Sequence, residues 1–398
     1  MNKLFIEDIA VKGKRVLVRV DFNVPLDEKG NITNDKRISA TMPTIQYLSD
    51  HGARVILMSH LGRPEGKRAP EFSLKPVAAD LKKRFGAKAF FADDCIGPAV
   101  EKAVAGLKDG DILLLENLRF YKEEEKNNPD FAKKLAALGD VYVNDAFGAA
   151  HRAHASTEGI TRYIRQNACG YLMKKELDYL GMAFENPKRP FVAILGGSKI
   201  SGKIDVINNL LGKVDALLIG GGMAYTFFKA QGLEIGTSLL EKERVAMAAE
   251  ILRAAKIKNK KLLLPVDCVA ASEFSNEAAR KTVPVNAIPA DMMGLDIGPE
   301  TVKLFSRELT NAKTIVWNGP VGVFEMENFA QGTNALAQVL AECTSRGAVT
   351  VIGGGDSASA VKKAGVSGKM SHVSTGGGAS LEFMEGKVLP GVAALSEK

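Results

Sequence analysis

Cysteine is scarce in this chain. Its four cysteines, Cys95, Cys169, Cys268 and Cys343, lie far apart and form neither a CxxC pair nor a disulfide framework, so a reducing cytoplasm is the expected compartment. No apolar run approaches the ~20 residues that a membrane-spanning helix needs, and no membrane partner is expected. The stretch Met1 to Val11 carries Glu7 and Asp8 and lacks the apolar core and cleavage site of a secretory signal. Basic residues never run to five in succession, which argues against a nucleic-acid-binding stripe despite the net charge of +7. The dinucleotide fingerprint GxGxxG is absent, which counts against a dehydrogenase.

What is present is ample material for two cores. A chain of 398 residues exceeds the size at which one hydrophobic core usually stops growing, and 46% hydrophobic with 25% charged residues is an ordinary globular balance. Short β-branched and leucine-rich runs recur with room for a helix between them: Arg15 to Val20, Arg54 to Met58, Ile112 to Leu115 and Val141 to Val143 in the first half. Phe191 to Leu195, Ala216 to Ile219, Lys261 to Pro265, Thr314 to Trp317 and Val349 to Ile352 repeat the scheme in the second. Runs of this kind are buried on both faces, so amphipathic segments such as Ser73 to Phe85 and Pro129 to Leu138 are their covering helices. The expected fold is therefore α/β, with two doubly wound, Rossmann-like parallel-sheet domains. Tyr171 to Phe184 has helical spacing and ends at Asn186-Pro187, which makes 171–187 the expected connecting helix between a domain at 1–170 and another at 188–380.

Ligands of open parallel sheets bind beyond the carboxyl ends of the strands, where helix N-termini converge. In the first half those ends deliver polar and cationic groups. Asp21 and Asn23 follow Val20, His60 and Arg63 follow Met58, Arg119 follows Leu115, and His151 and Arg152 follow Val143, with Arg37 opening the first long helix. Several arginine forks around one cleft suit a small dianion, because each matches two phosphate or carboxylate oxygens.

The second half offers backbone instead. Most of the 39 glycines follow Cys169, including the triplets Gly220 to Gly222, Gly353 to Gly355 and Gly376 to Gly378. Leu195 to Lys203 nearly matches a P-loop, with Gly197 and Gly202-Lys203 in register, but Ile204 stands where that motif needs a hydroxyl. Lys199 and Lys203, four apart, are expected on one helical face pointing at phosphates. Gly353 to Ser357 offers N–H groups beside the Asp356 carboxylate, a hard ligand suited to Mg²⁺. A P-loop NTPase and a nucleic-acid-binding protein remain the competing readings at this point.

Taken together, Val20 to Pro25, Ser59 to Pro64, Glu116 to Phe120, Asn144 to Phe147 with His151 to His154, Trp317 to Gly322, Gly353 to Ser357 and Ser374 to Ser380 resemble the phosphoglycerate kinase family from end to end. The resemblance implies reversible phosphoryl transfer from 1,3-bisphosphoglycerate to MgADP, giving 3-phosphoglycerate and MgATP, in a mostly monomeric enzyme. It implies a triose-phosphate site at Asp21, Asn23, Arg37, His60, Arg63, Arg119 and Arg152. It implies a nucleotide site at Gly197, Lys203, Gly221, Gly222, Gly294, Asn318, Glu325, Gly354, Gly355, Asp356 and Ser357, with Asp356 toward Mg²⁺ and Glu325 toward the ribose. Arg37, Lys199, Gly376 and Gly377 match positions assigned to the transferring phosphoryl group. It also implies that the segment 381–398 returns to pack on the first domain.

Overall fold

The computed structural model describes residues 2–398, and the chain falls into two compact units: one takes the chain as far as Asp178 together with Val388–Lys398, the other is Tyr179–Lys387. The first unit carries β1 (Arg15–Arg19), β2 (Arg54–Met58), β3 (Ala89–Ala92), β4 (Ile112–Leu115), β5 (Val141–Asn144) and β6 (Asn167–Cys169). They form one six-stranded sheet in the order β3-β4-β2-β1-β5-β6, with every pair parallel. β1 is central because Leu17 and Val18 are wholly buried, one on each face, and such a strand needs helices on both sides. Val16, Val18, Val55 and Val143 share a core with Ile38, Ile45 and Leu48 of the helix Lys36–Asp50. The chain leaves β1 toward β2 and later returns to its other side as β5, so the reversal of strand order falls between β1 and β5.

The second unit continues with β7 (Phe191–Leu195), β8 (Ala216–Ile219) and β9 (Lys261–Leu263), then β10 (Asp267–Ala271), β11 (Arg280–Pro284) and β12 (Met293–Ile297), and finally β13 (Thr314–Asn318), β14 (Val349–Gly353) and β15 (His372–Val373). The main sheet is parallel in the order β15-β14-β13-β7-β8-β9, with its reversal between β7 and β13. β10, β11 and β12 make a separate antiparallel sheet, which the search for continuous apolar runs does not reveal. Four of the five residues of β11 are exposed, so the strand has no apolar signature. Trp317, Phe305 and Leu336 anchor the main core, all wholly buried.

Two boundaries differ from expectation. The helix from Tyr171 ends at Phe184, short of residue 187, because a residue preceding proline is driven out of the helical region and Pro187 follows Asn186. The segment belonging to the first unit starts at Val388, not Leu381. The helix Gly377–Met384 stays with the second unit, where Met384 is wholly buried and its carbonyl accepts the Asn209 amide at 2.6 Å. Beyond Val388 the chain is tied to the first unit: the Asn144 amide donates to Gly391 O at 3.0 Å, Leu4 N to Ser396 O at 2.9 Å, and Lys3 Nζ to Leu395 O at 2.9 Å.

Phe305→Ala empties a fully buried ring site and is expected to destabilise the second unit by ~3–5 kcal/mol. Trp317, the single tryptophan, lies in the same core, so its fluorescence unfolding midpoint in denaturant reads the loss directly, and an unshifted midpoint contradicts this packing.

Candidate functional site

In the first unit, the carboxyl ends of β1, β2, β4 and β5 assemble a cationic cluster. The Arg37 guanidinium donates to Asp21 Oδ1 at 3.0 Å and to the Asn23 carbonyl at 3.1 Å. Asn23 Oδ1 accepts Gly62 N at 2.9 Å, and Arg119 Nη1 donates to Gly62 O at 2.9 Å. The loop after β2 is thus held from both sides. Arg119 is buried, and its Nε lies 3.3 Å from Glu125 Oε1, an ion pair without hydrogen-bond geometry. Arg63, next to Gly62, is exposed, and Arg152 is exposed with its Nε donating to His151 Nε2 at 3.2 Å. Asp21, Asn23, Arg37, Arg119 and the loop bearing His60 and Arg63 are therefore linked, and Arg152 stands near enough to Arg119 to influence its charge.

Inspection of strand ends misses a residue inside a strand. Arg19, the last residue of β1, is 1% exposed, and its guanidinium meets His60 Nδ1 at 3.1 Å and Ser156 Oγ at 2.8 Å. Ser156 in turn donates its hydroxyl to Glu124 Oε1 at 2.6 Å and its N–H to Glu124 Oε2 at 3.0 Å. Glu124 is wholly buried. An arginine in a strand buried on both faces was the available signal, since a buried guanidinium demands acceptors. Burial and then the Arg19, Arg119 and Arg37 charges hold the His60 imidazole well below its usual range. His154 is pushed down to about 3 by burial and by Arg19, Arg119 and Arg152. Both histidines are thus neutral at physiological pH.

In the second unit the floor of the site is backbone. A Cβ on Gly196 would meet Pro320 O at 2.1 Å and Gly319 O at 2.6 Å, and one on Gly319, at φ +93°, would meet Gly196 O at 2.3 Å. The loops leaving β7 and β13 therefore touch main chain to main chain, which only glycine permits. Gly221, at φ +68°, packs against Gly197 in the same way. Above this floor lies a cleft of about 460 Å³ lined by Gly197, Gly221, Gly222, Gly294, Glu325 and Asp356, all expected from the sequence. Much of its remaining wall is apolar, with Phe228, Leu239, Phe274, Met293, Leu295 and Val323, and Ser198, Thr237 and Asp296 add polar points. β12 supplies Gly294, where any Cβ would strike the Tyr225 hydroxyl at 1.6 Å. The apolar wall escaped sequence reasoning because it comes largely from the unforeseen antiparallel sheet and from scattered single residues.

The other expected residues sit beside that cleft. Gly354, at φ +90°, and Gly355 open the helix Gly355–Lys363, and exposed Asp356 lies in its first turn, where the helix dipole favours negative charge. The Ser357 hydroxyl accepts Gly319 N at 2.6 Å, so it braces the β13 loop while its own O–H proton is still able to donate. The Lys203 ammonium donates to Asn318 Oδ1, while the Asn318 amide nitrogen is buried without a partner, 3.2 Å from a Cβ built on Gly354. Burial lowers the Lys203 pKa to about 8 against the opposing pull of Asp356 and Glu385. Gly377 begins its own helix, and a Cβ there would lie 3.4 Å from Gly355 N, so two helix N-termini face each other. Gly376 N already donates to Ser374 Oγ at 3.2 Å.

One expectation is corrected. Lys199 and Lys203 do not share a helical face: the helix starts at Ile204, Ser201 to Lys203 form a turn, Lys199 is exposed, and Lys203 is turned inward. Gly202 and the turn it permits delay helix formation past the point that spacing alone suggests.

The fold is that of a protein with two doubly wound α/β units. A sequence model of the family described as phosphoglycerate kinase matches residues 6–387. The chain is 59% identical over 397 residues to the phosphoglycerate kinase of Chlorobium phaeobacteroides (strain BS1), covering 100% of both. It is also 59% identical over 387 residues to the cytosolic phosphoglycerate kinase of Triticum aestivum, covering 97% of this chain and 96% of that one. The solved structure of phosphoglycerate kinase from Coxiella burnetii superposes with a TM-score of 0.92 at 44% identity, covering 98% of each chain. The chain belongs to the phosphoglycerate kinase family and is a phosphotransferase. Among the described residues no helix is long and apolar enough to cross a membrane.

Because His154 resists protonation down to about pH 3 when folded but accepts a proton near 6.5 when unfolded, the unfolded state binds more protons as pH falls. Stability is therefore expected to decline from pH 6.5 toward 3. His154→Gln should flatten that slope in urea titrations at successive pH values, and an unchanged slope contradicts the assignment.

Proposed function

We propose that this chain catalyses reversible phosphoryl transfer from 1,3-bisphosphoglycerate to MgADP, yielding 3-phosphoglycerate and MgATP. The observation that carries this reading is the contrast between the two units. One gathers Arg37, Arg119 and Arg152 with neutral histidines at a sheet reversal; the other has a side-chain-free floor beneath an apolar cleft. A three-carbon acid phosphate needs cations and forks. A nucleotide needs an apolar slot for its base and N–H groups for its phosphates.

On this reading Asp21, Asn23, Arg37, His60, Arg63, Arg119 and Arg152 hold the triose phosphate. Gly197, Gly221, Gly222 and Gly294 let the nucleotide approach the main chain, and Glu325 takes the ribose. Lys203, Asn318 and the amides at Gly354, Gly355 and Ser357 take the phosphates. The unpartnered Asn318 amide supports this, since a phosphate oxygen would satisfy it. Asp356 fits Mg²⁺ carried in with the nucleotide: it is one of two exposed carboxylates on the cleft wall, Glu325 being the other, and it alone stands in the first turn of a helix beside Gly354 and Gly355. Mg²⁺ prefers one or two such ligands plus substrate phosphates. Asp356 would hold the ion, whose charge would offset that of the nucleotide phosphates.

The oxygens that exchange the phosphoryl group, one on a carboxylate and one on a diphosphate, carry no proton, so the reaction needs no general base. Arg37, Lys199 and the N–H of Gly377 would stabilise the charge on the equatorial oxygens in flight. Gly376 joins them once its N–H leaves Ser374. Ligands carried on separate units must meet in line, so closure about the ends of the helix Tyr171–Phe184 accompanies binding and excludes water from the acyl phosphate.

A coupled assay of ATP formation from 1,3-bisphosphoglycerate and MgADP tests the reaction. Arg37→Ala is expected to lower kcat by ~10²–10³, and a wild-type chain inactive in this assay defeats the proposal. Closure is read by small-angle scattering: the radius of gyration should contract when 3-phosphoglycerate and MgATP are both bound, and an unchanged radius counts against it.

A further inference from the structure

Behind the arginine cluster of the first unit lies a chain of buried polar groups whose hydrogens can be assigned by elimination. Arginine donates only. Arg19 Nη2, 3.1 Å from His60 Nδ1, therefore fixes that ring nitrogen as an acceptor without a proton. Arg19 Nε, 2.8 Å from Ser156 Oγ, fixes the hydroxyl oxygen as an acceptor there. The one Ser156 hydroxyl proton then goes to Glu124 Oε1 at 2.6 Å, and Ser156 N–H fills Glu124 Oε2 at 3.0 Å. The remaining Arg19 donor group, Nη1, is taken by the Val20 carbonyl.

Every assignment in this series has one solution, and all four side chains are buried. With Nδ1 an acceptor, a neutral His60 must carry its proton on Nε2, which has no hydrogen-bond partner among the described residues. A free imidazole divides its proton between two nitrogens and takes a second at mild acidity. The order of donors here removes both freedoms, because protonating Nδ1 would set an N–H against the Arg19 guanidinium. Glu124 supplies the only carboxylate in the series and balances the buried Arg19 charge through the shared serine.

We infer that Glu124 and Ser156 are positioning residues that act through Arg19 to hold His60 as the Nε2–H tautomer, a directed neutral donor to a carboxylate or phosphate oxygen of the bound substrate. The inference rests on the triose-phosphate reading of this site only for the identity of that oxygen. Such a donor adds geometric selectivity to a cleft whose cations attract any small anion. A neutral N–H must lie within hydrogen-bond reach of its acceptor, whereas an arginine charge acts through space.

The test begins with the wild-type protein free of ligand. Two-bond ¹H–¹⁵N correlation spectra of the histidine side chains should give His60 the Nε2–H pattern at neutral pH, with no titration near 6.5. A proton on Nδ1, or an ordinary titration, overturns the proposal without recourse to activity. Ser156→Ala removes the link between Arg19 and Glu124. It should mix the two tautomers and raise KM for 3-phosphoglycerate about tenfold, while KM for MgATP stays within about twofold. Ser156→Thr, which restores a hydroxyl, should recover much of the loss. Glu124→Gln should act in the same direction as Ser156→Ala; if it does not fold, the wild-type spectra and the Ser156 pair still decide. Unchanged tautomer and unchanged KM in Ser156→Ala sink the inference. A wild-type chain with the expected His60 spectrum but no phosphoryl transfer would instead sink the functional reading and leave the tautomer assignment standing.

Discussion

A parallel strand sends its carboxyl end to the same edge of the sheet as all its neighbours, so the loops and helix starts that follow are forced into one crowded row. That constraint organises both units. In each, the row is widest where strand order reverses, between β1 and β5 in one unit and between β7 and β13 in the other. The two units use the opening in opposite ways. The first fills it with long cationic side chains anchored from neighbouring loops. The second strips side chains away until main chain meets main chain at Gly196 and Gly319, leaving N–H groups and an apolar wall.

Each solution has its own cost. Cations gathered at one edge repel one another, and the first unit manages this by keeping His60 and His154 uncharged and giving Arg19 a buried countercharge in Glu124. Burial pushes the Glu124 carboxyl upward, and Arg19 and the two Ser156 donors offset only part of that shift. In the second unit the cost is conformational. Gly197, Gly221, Gly319 and Gly354 all have positive φ, and glycine surrenders more chain freedom on folding than other residues. The bracing bond from Gly319 N to Ser357 Oγ and the packing of Trp317, whose ring N–H donates to Gly319 O at 2.7 Å, offset part of that loss.

How far the fold was legible follows from what each strand buries. β1, β2, β4, β5, β7, β8, β13 and β14 lie inside their sheets and read as unbroken apolar runs, so their positions were plain to within a residue or so. β3, β6 and β15 are short edge strands, and β11 is mostly exposed; neither kind needs an apolar run, and none was foreseen. At the sites, side chains that follow strand ends were legible, and so were glycines in threes. Glu124 was not, because one glutamate in a KEEE run looks like its neighbours until burial is known; Arg19 did stand out in an apolar strand, but it lies within the strand rather than beyond its end. The lysine pair failed for a local reason: spacing of four implies a shared face only inside a helix, and the helix starts one residue after Lys203.

The late return of Val388–Lys398 to the first unit bears on the order in which a ribosome delivers the molecule. The strands β1 to β6 emerge before the second unit, yet the groups that close over them, Gly391 O against Asn144 and Ser396 O against Leu4, emerge only after it. The contiguous second unit has all its parts in hand sooner. During synthesis, the unit begun first must wait in an unfinished state, with the amide of Asn144 lacking its final acceptor until the whole second unit has been made.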